Sequence, residues 1–396
     1  MSPDLEQLIA ADLAGREREN LLRRQRVVAP LSPTRARLGD GREVVNFASN
    51  NYLGLTHHPR LIAAATAAVQ AAGGGAGAAG LITGHTHVHA AAQDALARWK
   101  GTEAALLLPS GYQANLAVVQ TLAAIGQQGG GIRFLVDKLA HASLIDAARA
   151  TGAEMRVYPH NTLAKLERLL AEAPEGQLQV VLTESIFSMD GDAADLRGLA
   201  DLKRRFGFVL VLDEAHGSGV YGPAGAGYAA ELSLGHAVDV TVVTLSKAIG
   251  SAGGAICASA NFCAAVLNHG RAYVYSTHVT PATAAWATEA IAVMADEPGP
   301  QARVREVSRH VRAEIGRMGF DVPAGDSPIV PVILGDEAAA LAAADQLLAV
   351  GLLAPAVRPP TVPRGGSRLR VTVSAAHSDA DVGRLIEALR GLVRPM

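Results

Sequence analysis

The feature that most constrains the fold is a series of short apolar segments separated by stretches of helical periodicity. Apolar runs of this length, bounded by turn residues, are typical of buried strands. Their alternation with helices predicts repeated β-α-β units and a mainly parallel sheet. The predicted strands are Ala104–Leu108, Ile132–Val136, Met155–Tyr158, Leu178–Thr183, Phe208–Leu212, Val240–Thr244 and Gly254–Ala258.

The order of elements changes near Pro281, where a long helix is predicted to run to about Asp296. A helix, a strand, a helix and a strand follow it, and this order indicates a separate, smaller α+β lobe. The N-terminus has an amphipathic helical pattern over Leu5–Val28. We therefore expect an N-terminal helical segment (1–45), a large domain with a seven-stranded sheet (46–285) and a C-terminal α+β domain (286–396).

The composition excludes several classes of partner. A formal net charge of -2 creates no field that would attract nucleic acid or an acidic membrane. No apolar run reaches membrane-spanning length without glycine or charge, and the N-terminus lacks the apolar core of a signal peptide. We therefore expect a cytoplasmic protein. Cys257 and Cys263 are predicted to be buried thiols, because two cysteines make a poor disulfide scaffold.

Polar or ionisable residues follow five of the predicted strands. The carboxyl ends of parallel strands meet at one rim of a sheet, where ligands bind in α/β proteins. We therefore expect these side chains to converge, which is a more specific signal than any single motif. They include Ser110, Asp137, His141, Glu184, Ser188, Asp213, His216, Thr244 and Lys247.

The residue types at this rim have complementary chemistry. A buried carboxylate such as Asp213 needs a cation, which a protonated pyridine nitrogen would supply. A lysine in apolar surroundings, such as Lys247, has its charged form disfavoured and becomes a better amine nucleophile and base. The helix that begins at Gly111 presents free N–H groups and the positive end of its dipole to an anion such as phosphate.

Six segments of the chain resemble the α-oxoamine synthases, which are fold-type I enzymes that use pyridoxal phosphate (PLP). The resemblance extends in order from about Leu21 to Leu389 and implies the α/β fold of that class. It also implies condensation of an amino acid with an acyl thioester and release of CO2. The segments are Asn46–Leu55, His141–Ser143, Phe187–Asp192, Asp213–Gly217, Thr244–Lys247 and Tyr275–Thr277.

The resemblance implies a role for each matching position. Lys247 would form the Schiff base with PLP, Asp213 would pair with the pyridinium, His216 would bond to the phenolic oxygen, and His141 would stack on the ring. Thr277 would reach the phosphate of a neighbouring subunit, which implies a homodimer with shared active sites. Further cofactor contacts are implied for Ser110, Gly111, Tyr112, Ser188 and Thr244.

Two C-terminal segments, Arg358–Pro363 and Arg368–Arg370, are similar to the biotin-pathway members of the family. Those members condense L-alanine with a pimeloyl thioester carried on coenzyme A (CoA) or on acyl carrier protein. The similarity implies that Arg370 holds the amino-acid carboxylate and that Asn50 and Thr361 contact substrate. Arg23 matches an arginine that recognises the acyl chain, although membership of a solvated basic helix face explains it nearly as well.

Other functions remain as alternatives. A different family member would use glycine and acetyl-CoA, and an inactive relative would serve as a binding or scaffold protein. Gly75–Gly80 matches a dinucleotide fingerprint, but it follows a helix instead of a strand. Asp213–His216 matches a helicase box, but the chain has no Gly-Lys pair for a phosphate loop. His85, His87 and His89 would share a face of an extended segment, but no further ligand follows at metal-site spacing, so no metal is expected.

Overall fold

The computed structural model describes residues 4–392, which form a mixed α/β fold. The strands are β1 (Val28–Ser32), β2 (Arg35–Leu38), β3 (Glu43–Asn46), β4 (Ala104–Leu108), β5 (Ile132–Asp137), β6 (Glu154–Tyr158), β7 (Leu178–Glu184), β8 (Val209–Asp213), β9 (Val240–Thr244), β10 (Gly254–Ala258), β11 (Ile329–Gly335), β12 (Leu352–Leu353), β13 (Ala356–Val357) and β14 (Ser367–Thr372).

The helices lie between these strands and at both ends of the described chain. They are α1 (Leu5–Arg18), α2 (Pro59–Ala72), α3 (His87–Lys100), α4 (Gly111–Gln128), α5 (Ala142–Ala150), α6 (Leu163–Ala171), α7 (Leu196–Phe206), α8 (Tyr228–Glu231), α9 (Ala260–His269), α10 (Arg271–Val274), α11 (Pro281–Asp296), α12 (Gly299–Arg317), α13 (Glu337–Ala349) and α14 (Asp379–Arg390).

The chain divides into two compact units. The larger unit comprises Asn51–Ser188 and Asp192–Arg303. The smaller unit comprises the described residues up to Asn50, the short segment Met189–Gly191, and the described residues from Val304 onward. This grouping differs from the predicted segments 1–45, 46–285 and 286–396, because N-terminal and C-terminal residues share a sheet in the smaller unit.

The larger unit is built on a seven-stranded sheet with the order β4-β10-β9-β8-β7-β5-β6. Its pairs are parallel except for those of β10, which is antiparallel to both β4 and β9. Each of the seven predicted strands is present, with its bounds shifted by no more than one residue at either end. The prediction of a mainly parallel sheet is confirmed.

The strands of this sheet are buried on both faces, because alternate side chains enter two different cores. Phe134 and Val136 of β5 pack with residues of α4 and α5, whereas Leu135 packs with residues of α6 and α7. Helices α4 and α5 therefore cover one face of the sheet, and helices α6 and α7 cover the other. The chain reverses its direction of winding between β5 and β7, which is where open α/β sheets form their binding crevice.

A buried ion pair holds the loop that follows β8. Nζ of Lys100 lies 2.8 Å from Oε2 of Glu214, and both side chains are almost completely inaccessible to solvent. The same Nζ donates to Oγ of Ser218 and to the carbonyl oxygen of Ala226. The Glu214 carboxylate also accepts the backbone N–H of Ala229. Removing either partner would leave an uncompensated buried charge, so the pair ties this loop firmly to α3.

The smaller unit contains a four-stranded sheet, β1-β2-β3-β12, and a three-stranded sheet, β11-β14-β13. Parallel pairing of β3 with β12 joins the N-terminal strands to the C-terminal part of the chain. The predicted helix over Leu5–Val28 is wrong in its C-terminal bound, because α1 ends at Arg18. Asn20 has a left-handed backbone conformation (φ 57°), which is incompatible with continuing the helix, and β1 begins at Val28.

Within residues 4–392, no helix is both long enough and apolar enough to cross a membrane.

A Gly227→Ala substitution tests the packing around the buried ion pair. Gly227 has φ +118°, and an added Cβ would lie 1.6 Å from Oε2 of Glu214. We expect a loss of about 1–3 kcal/mol or more in unfolding free energy, measured by urea titration. Gly235→Ala is the matched control, since no heavy atom outside its local backbone and neighbouring residues lies within 4 Å of its added Cβ. Equal stability of the two variants would contradict the packing described.

Candidate active site

The carboxyl ends of four neighbouring parallel strands place polar groups along one rim of the larger unit. Asp137 ends β5, Glu184 ends β7, Asp213 ends β8 and Thr244 ends β9. Lys247 follows Thr244 in the turn after β9. The convergence expected from the sequence is therefore present at the end of the sheet where its binding crevice forms.

Asp213 is a buried carboxylate that forms no ion pair among the residues that the structure describes. Its side chain is almost inaccessible to solvent (4% exposed). Oδ1 accepts the backbone N–H of Ala215 at 2.9 Å, and Oδ2 accepts Nδ2 of Asn115 at 2.7 Å. No ion pair within residues 4–392 includes Asp213. Because burial of a carboxylate without a counter-charge is costly, this position fits a ligand that brings a cation, such as a protonated pyridine nitrogen.

Asn115 connects Asp213 to His141. The Asn115 amide also donates to Oγ of Ser143 at 2.8 Å, and that hydroxyl lies 2.7 Å from Nδ1 of His141. The Ser143 hydroxyl therefore donates to Nδ1, which also accepts the backbone N–H of Ser143. Desolvation lowers the pKa of His141, Asp213 opposes this shift, and Lys247 reinforces it. A neutral imidazole in one fixed tautomer results, and it is suited to stack on an aromatic ring.

A second chain of contacts joins Tyr52, His216 and Lys247. The hydroxyl of Tyr52 lies 2.6 Å from Nδ1 of His216, and Nε2 of the same ring lies 2.7 Å from Nζ of Lys247. Tyr52 is completely buried. The arrangement orients Lys247 and His216 toward each other at the rim.

The N-terminus of α4 forms a close-packed anion site. Ser110 caps the helix by accepting the N–H of Gln113, which leaves earlier backbone N–H groups for a ligand. A Cβ added to Gly111 would lie 2.1 Å from Oγ1 of Thr244, so only glycine lets the helix approach β9 this closely. The ring of Tyr112 meets that of His141 edge-on. These groups fit a phosphate in size and in donor chemistry.

Ser188 and Thr277 occupy turns with different exposure. Ser188 is buried in the turn after β7, whereas Thr277 is exposed in the segment before α11. Thr277 forms a β-bridge with Ala79, and the N–H of His278 donates to the carbonyl of Ala78. The glycine loop that superficially matched a dinucleotide fingerprint therefore packs against the segment that carries Thr277.

The candidate substrate residues belong to the smaller unit. Nη1 of Arg370 lies 3.1 Å from Oδ1 of Asn50 and 3.0 Å from Oγ1 of Thr372. Nη2 of Arg23 lies 3.2 Å from Oγ1 of Thr361. Burial, and then the positive charge of Arg23, lower the pKa of Arg358. Four residues that the resemblance assigns to substrate thus form two contacting pairs, Arg370 with Asn50 and Arg23 with Thr361.

The three alternating histidines do not lie on an extended segment as expected. His87 and His89 belong to α3, which begins at His87. Nδ1 of His89 accepts the N–H of Thr86, and its Nε2 donates to the carbonyl of Val279, so both ring nitrogens are engaged. Within residues 4–392, no group of three or more His, Cys, Asp or Glu side chains could hold a metal ion.

Both cysteines are free and buried, which confirms the prediction of buried thiols. Burial is the main cause that raises the pKa of Cys257 to about 12 and that of Cys263 to about 11. Neither thiol is therefore a reactive nucleophile at neutral pH.

Three buried residues of the site were not selected from the sequence: Tyr52, Asn115 and Ser143. Tyr52 and Ser143 lie inside segments that resemble the family, but their single polar groups look like ordinary packing or capping in sequence. Asn115 lies one helical turn after Gly111, and this spacing is the signal that could have identified it.

Glu184 is a carboxyl group inside the site with an unsatisfied oxygen. It is almost inaccessible to solvent, and its Oε1 has no hydrogen-bond partner. Burial is the main cause that raises its pKa well above the usual value. Asp213 adds to the increase, and Lys247 opposes it. Burial thus favours the uncharged form of Glu184.

Comparison with known proteins identifies relatives across nearly the whole chain. Residues 42–389 match the family described as aminotransferase class I and II. The 8-amino-7-oxononanoate synthase of Geobacter sulfurreducens is 39% identical over 384 residues, which are 96% of each chain. The enzyme of that name from Methylobacterium nodulans is 42% identical over 99% of this chain and 98% of its own.

Solved structures share the same fold. A serine palmitoyltransferase from S. paucimobilis with bound PLP-myriocin aldimine superposes with a TM-score of 0.92 at 28% identity, and the match covers 98% of each chain. An 8-amino-7-oxononanoate synthase from Francisella tularensis has a TM-score of 0.74 at 22% identity, covering 88% of this chain and 97% of its own. The similarity to the Francisella tularensis structure is evidence for the fold alone. Both structures confirm the predicted fold class.

A Glu184→Gln substitution tests the protonation state of this carboxyl. The folded-state pKa of Glu184 lies above the usual value of 4.5, so the unfolded chain loses this proton more readily than the folded protein. The wild-type protein therefore loses stability as the pH rises above about 4.5. Glutamine does not ionise, so the melting temperature of the variant should rise relative to wild type between about pH 5 and about pH 8. A wild type that gains stability relative to the variant over this range would show that Glu184 is ionised in the folded state.

Proposed function

The chain belongs to the aminotransferase class I and II family and, within it, to the α-oxoamine synthases, and we propose that it condenses L-alanine with a pimeloyl thioester. The products are 8-amino-7-oxononanoate, CO2 and the free thiol, which places the reaction in biotin biosynthesis. Relatives that bear the name of this activity match nearly the full chain at about 40% identity. Sequence similarity of that extent favours this member of the family over the glycine-using and inactive alternatives.

We propose pyridoxal phosphate as the cofactor. The observation that carries this proposal is the buried Asp213 carboxylate, which has no cationic partner among residues 4–392 and lies at the same rim as Lys247. When bound, PLP supplies an electron sink for negative charge that develops on the amino-acid Cα. Asp213 would hold the pyridinium, while Ser110, Gly111 and Thr244 would hold the phosphate.

The residues of the chain then divide the remaining work. The Nζ atom of Lys247 would hold the cofactor and would serve as the base that removes the proton from the alanine Cα. The same nitrogen returns a proton to that carbon after CO2 leaves. His216, held by Tyr52, would donate to the phenolic oxygen. His141 is positioned by Ser143 to cover the ring and limit access of water.

Substrate recognition is assigned to arginines of the smaller unit. Arg370 binds the alanine carboxylate, because a guanidinium held by Asn50 and Thr372 presents a fixed pair of donors. Thr361 contacts substrate and orients Arg23, which binds the distal carboxylate of the pimeloyl chain. A dicarboxylic acyl donor gives this arginine a partner that a simple fatty acyl chain lacks.

We also propose a homodimer in which Thr277 reaches the phosphate bound by the neighbouring subunit. Its exposed position before α11 supports this role. Either CoA or acyl carrier protein would serve as the thiol carrier, since the proposed contacts involve the acyl chain and the amino acid. Cytoplasmic location, expected from the sequence, stays a prediction.

A Lys247→Ala variant tests the reaction and the cofactor together. Purified wild type should absorb visible light after PLP is added, become covalently labelled by borohydride, and release CO2 from L-alanine and a pimeloyl thioester. The variant should lose the covalent label and about three or more orders of magnitude in rate, because one amine performs both proton transfers. Lys165→Ala on α6 is the control. A colourless wild type, or a wild type that prefers glycine, would contradict the proposal.

An Arg23→Ala variant tests recognition of the distal carboxylate. A charged hydrogen bond contributes about 1.5–3 kcal/mol, so kcat/KM for the pimeloyl donor should fall about 10- to 100-fold. The rate with a heptanoyl thioester, which has the same length and no distal carboxylate, should be unchanged. Arg24→Ala is the matched control, because Arg24 is exposed and paired with Glu17. An equal loss with both donors would remove the proposed role.

A further inference from the structure

One charged side chain beside the site has no role in the proposed reaction. His160, in the turn between β6 and α6, lies between two carboxylates. Its Nδ1 is 2.9 Å from Oδ1 of Asp137, and its Nε2 is 2.7 Å from Oδ2 of Asp192. Asp137 is almost completely buried, whereas His160 and Asp192 are partly accessible. A single imidazole therefore bridges the end of β5 and the turn after β7.

The geometry requires the protonated form of His160. Both ring nitrogens face carboxylate oxygens, and only an imidazolium has an N–H to donate at each. Desolvation lowers the pKa of His160, but the hydrogen bonds that its ring donates to Asp137 and Asp192 outweigh this effect and raise the pKa to about 10. The edge of the His160 ring also contacts Phe187, which limits ring rotation.

Each carboxylate that His160 holds belongs to a turn that carries a cofactor residue. Asp137 begins the turn that ends at His141, and its Oδ1 also accepts the N–H of Leu139 inside that turn. Asp192 ends the turn that contains Ser188. The bridge thus fixes two separate turns to one another at the point where the sheet changes its direction of winding.

The next residue, Asn161, reinforces the same bridge. Its backbone N–H donates to Oδ2 of Asp137, and its amide donates to the carbonyl of Ala193. Asn161 adopts a left-handed conformation (φ 51°), which asparagine tolerates better than most residues and which points both donors at these turns. Two consecutive residues therefore supply donors to the same two turns.

We propose that His160 is a positioning residue that, as a fixed cation, holds the His141 and Ser188 turns in the arrangement that binds the cofactor. The inference rests on the proposed function, since it assigns those turns to PLP. His160 does not touch the reacting atoms, and it acts through His141. A neutral side chain in its place would leave Asp137 and Asp192 repelling each other across the gap between the turns.

Affinity for PLP, measured by fluorescence titration of the full-length protein, tests this role. His160→Gln should weaken PLP binding about tenfold, because glutamine carries no charge and has both of its N–H donors on a single nitrogen. His269→Gln, an exposed histidine at the end of α9, is the matched control and should bind PLP like wild type. The same comparison in a His141→Ala background separates positioning from general destabilisation. There, His160→Gln should weaken binding less than about threefold, since coupled residues are not additive.

Two results would overturn the proposal. One is equal PLP affinity of His160→Gln and wild type. The other is an undiminished effect of His160→Gln in the His141→Ala background, which would assign His160 to overall stability alone. If His160→Gln does not fold, Asp192→Asn replaces it, because that change removes one side of the bridge and should show the same coupling to His141. A wild type that fails to bind PLP would instead refute the proposed function.

Discussion

A carboxylate buried without a cation is the constraint on which the rest of the site depends. Asp213 ends a strand that is covered on both faces, so its side chain reaches neither bulk water nor a basic residue of the described chain. Asn115 and the backbone of Ala215 satisfy its hydrogen-bonding capacity but not its charge. Such a group is costly to keep unless a ligand supplies the opposite charge. The fold is therefore prepared for a cationic ring at this position.

Four acidic groups near this rim have three different electrostatic environments. Asp137 and Asp192 share the imidazolium of His160, while burial raises the pKa of Glu184 well above its usual value. Asp213 forms no ion pair with any residue of the described range 4–392. This division matters because four ionised carboxylates so close together would repel each other, and a bound cation could not select one of them.

Much of the fold was accessible from sequence because the large sheet is buried on both faces. A strand such as Val240–Thr244 then forms an uninterrupted apolar run, and its end is marked by a polar residue. The short strands of the smaller unit have no such signal. Strand β12 has only two residues, and β1 is largely exposed, so pairing with distant segments decides their structure. The predicted N-terminal helix was too long, because the helical sequence pattern continues past Asn20, where the backbone turns.

The positions of Asp213 and Lys247 at the rim were predictable because residue type and strand position coincide there. The site was not predictable where a side chain acts through another one. Asn115 contacts Asp213 and Tyr52 contacts His216, which are distant in sequence, so the sequence alone does not reveal these contacts.

The central claim is that Asp213 holds a protonated pyridine nitrogen, and nitrogen-15 NMR of the protein loaded with PLP labelled at that nitrogen tests it most directly. The account predicts the chemical shift of a protonated pyridinium, unchanged from neutral to moderately alkaline pH, and the shift of a neutral pyridine in an Asp213→Asn variant. A neutral pyridine nitrogen in the wild type at neutral pH would contradict the account.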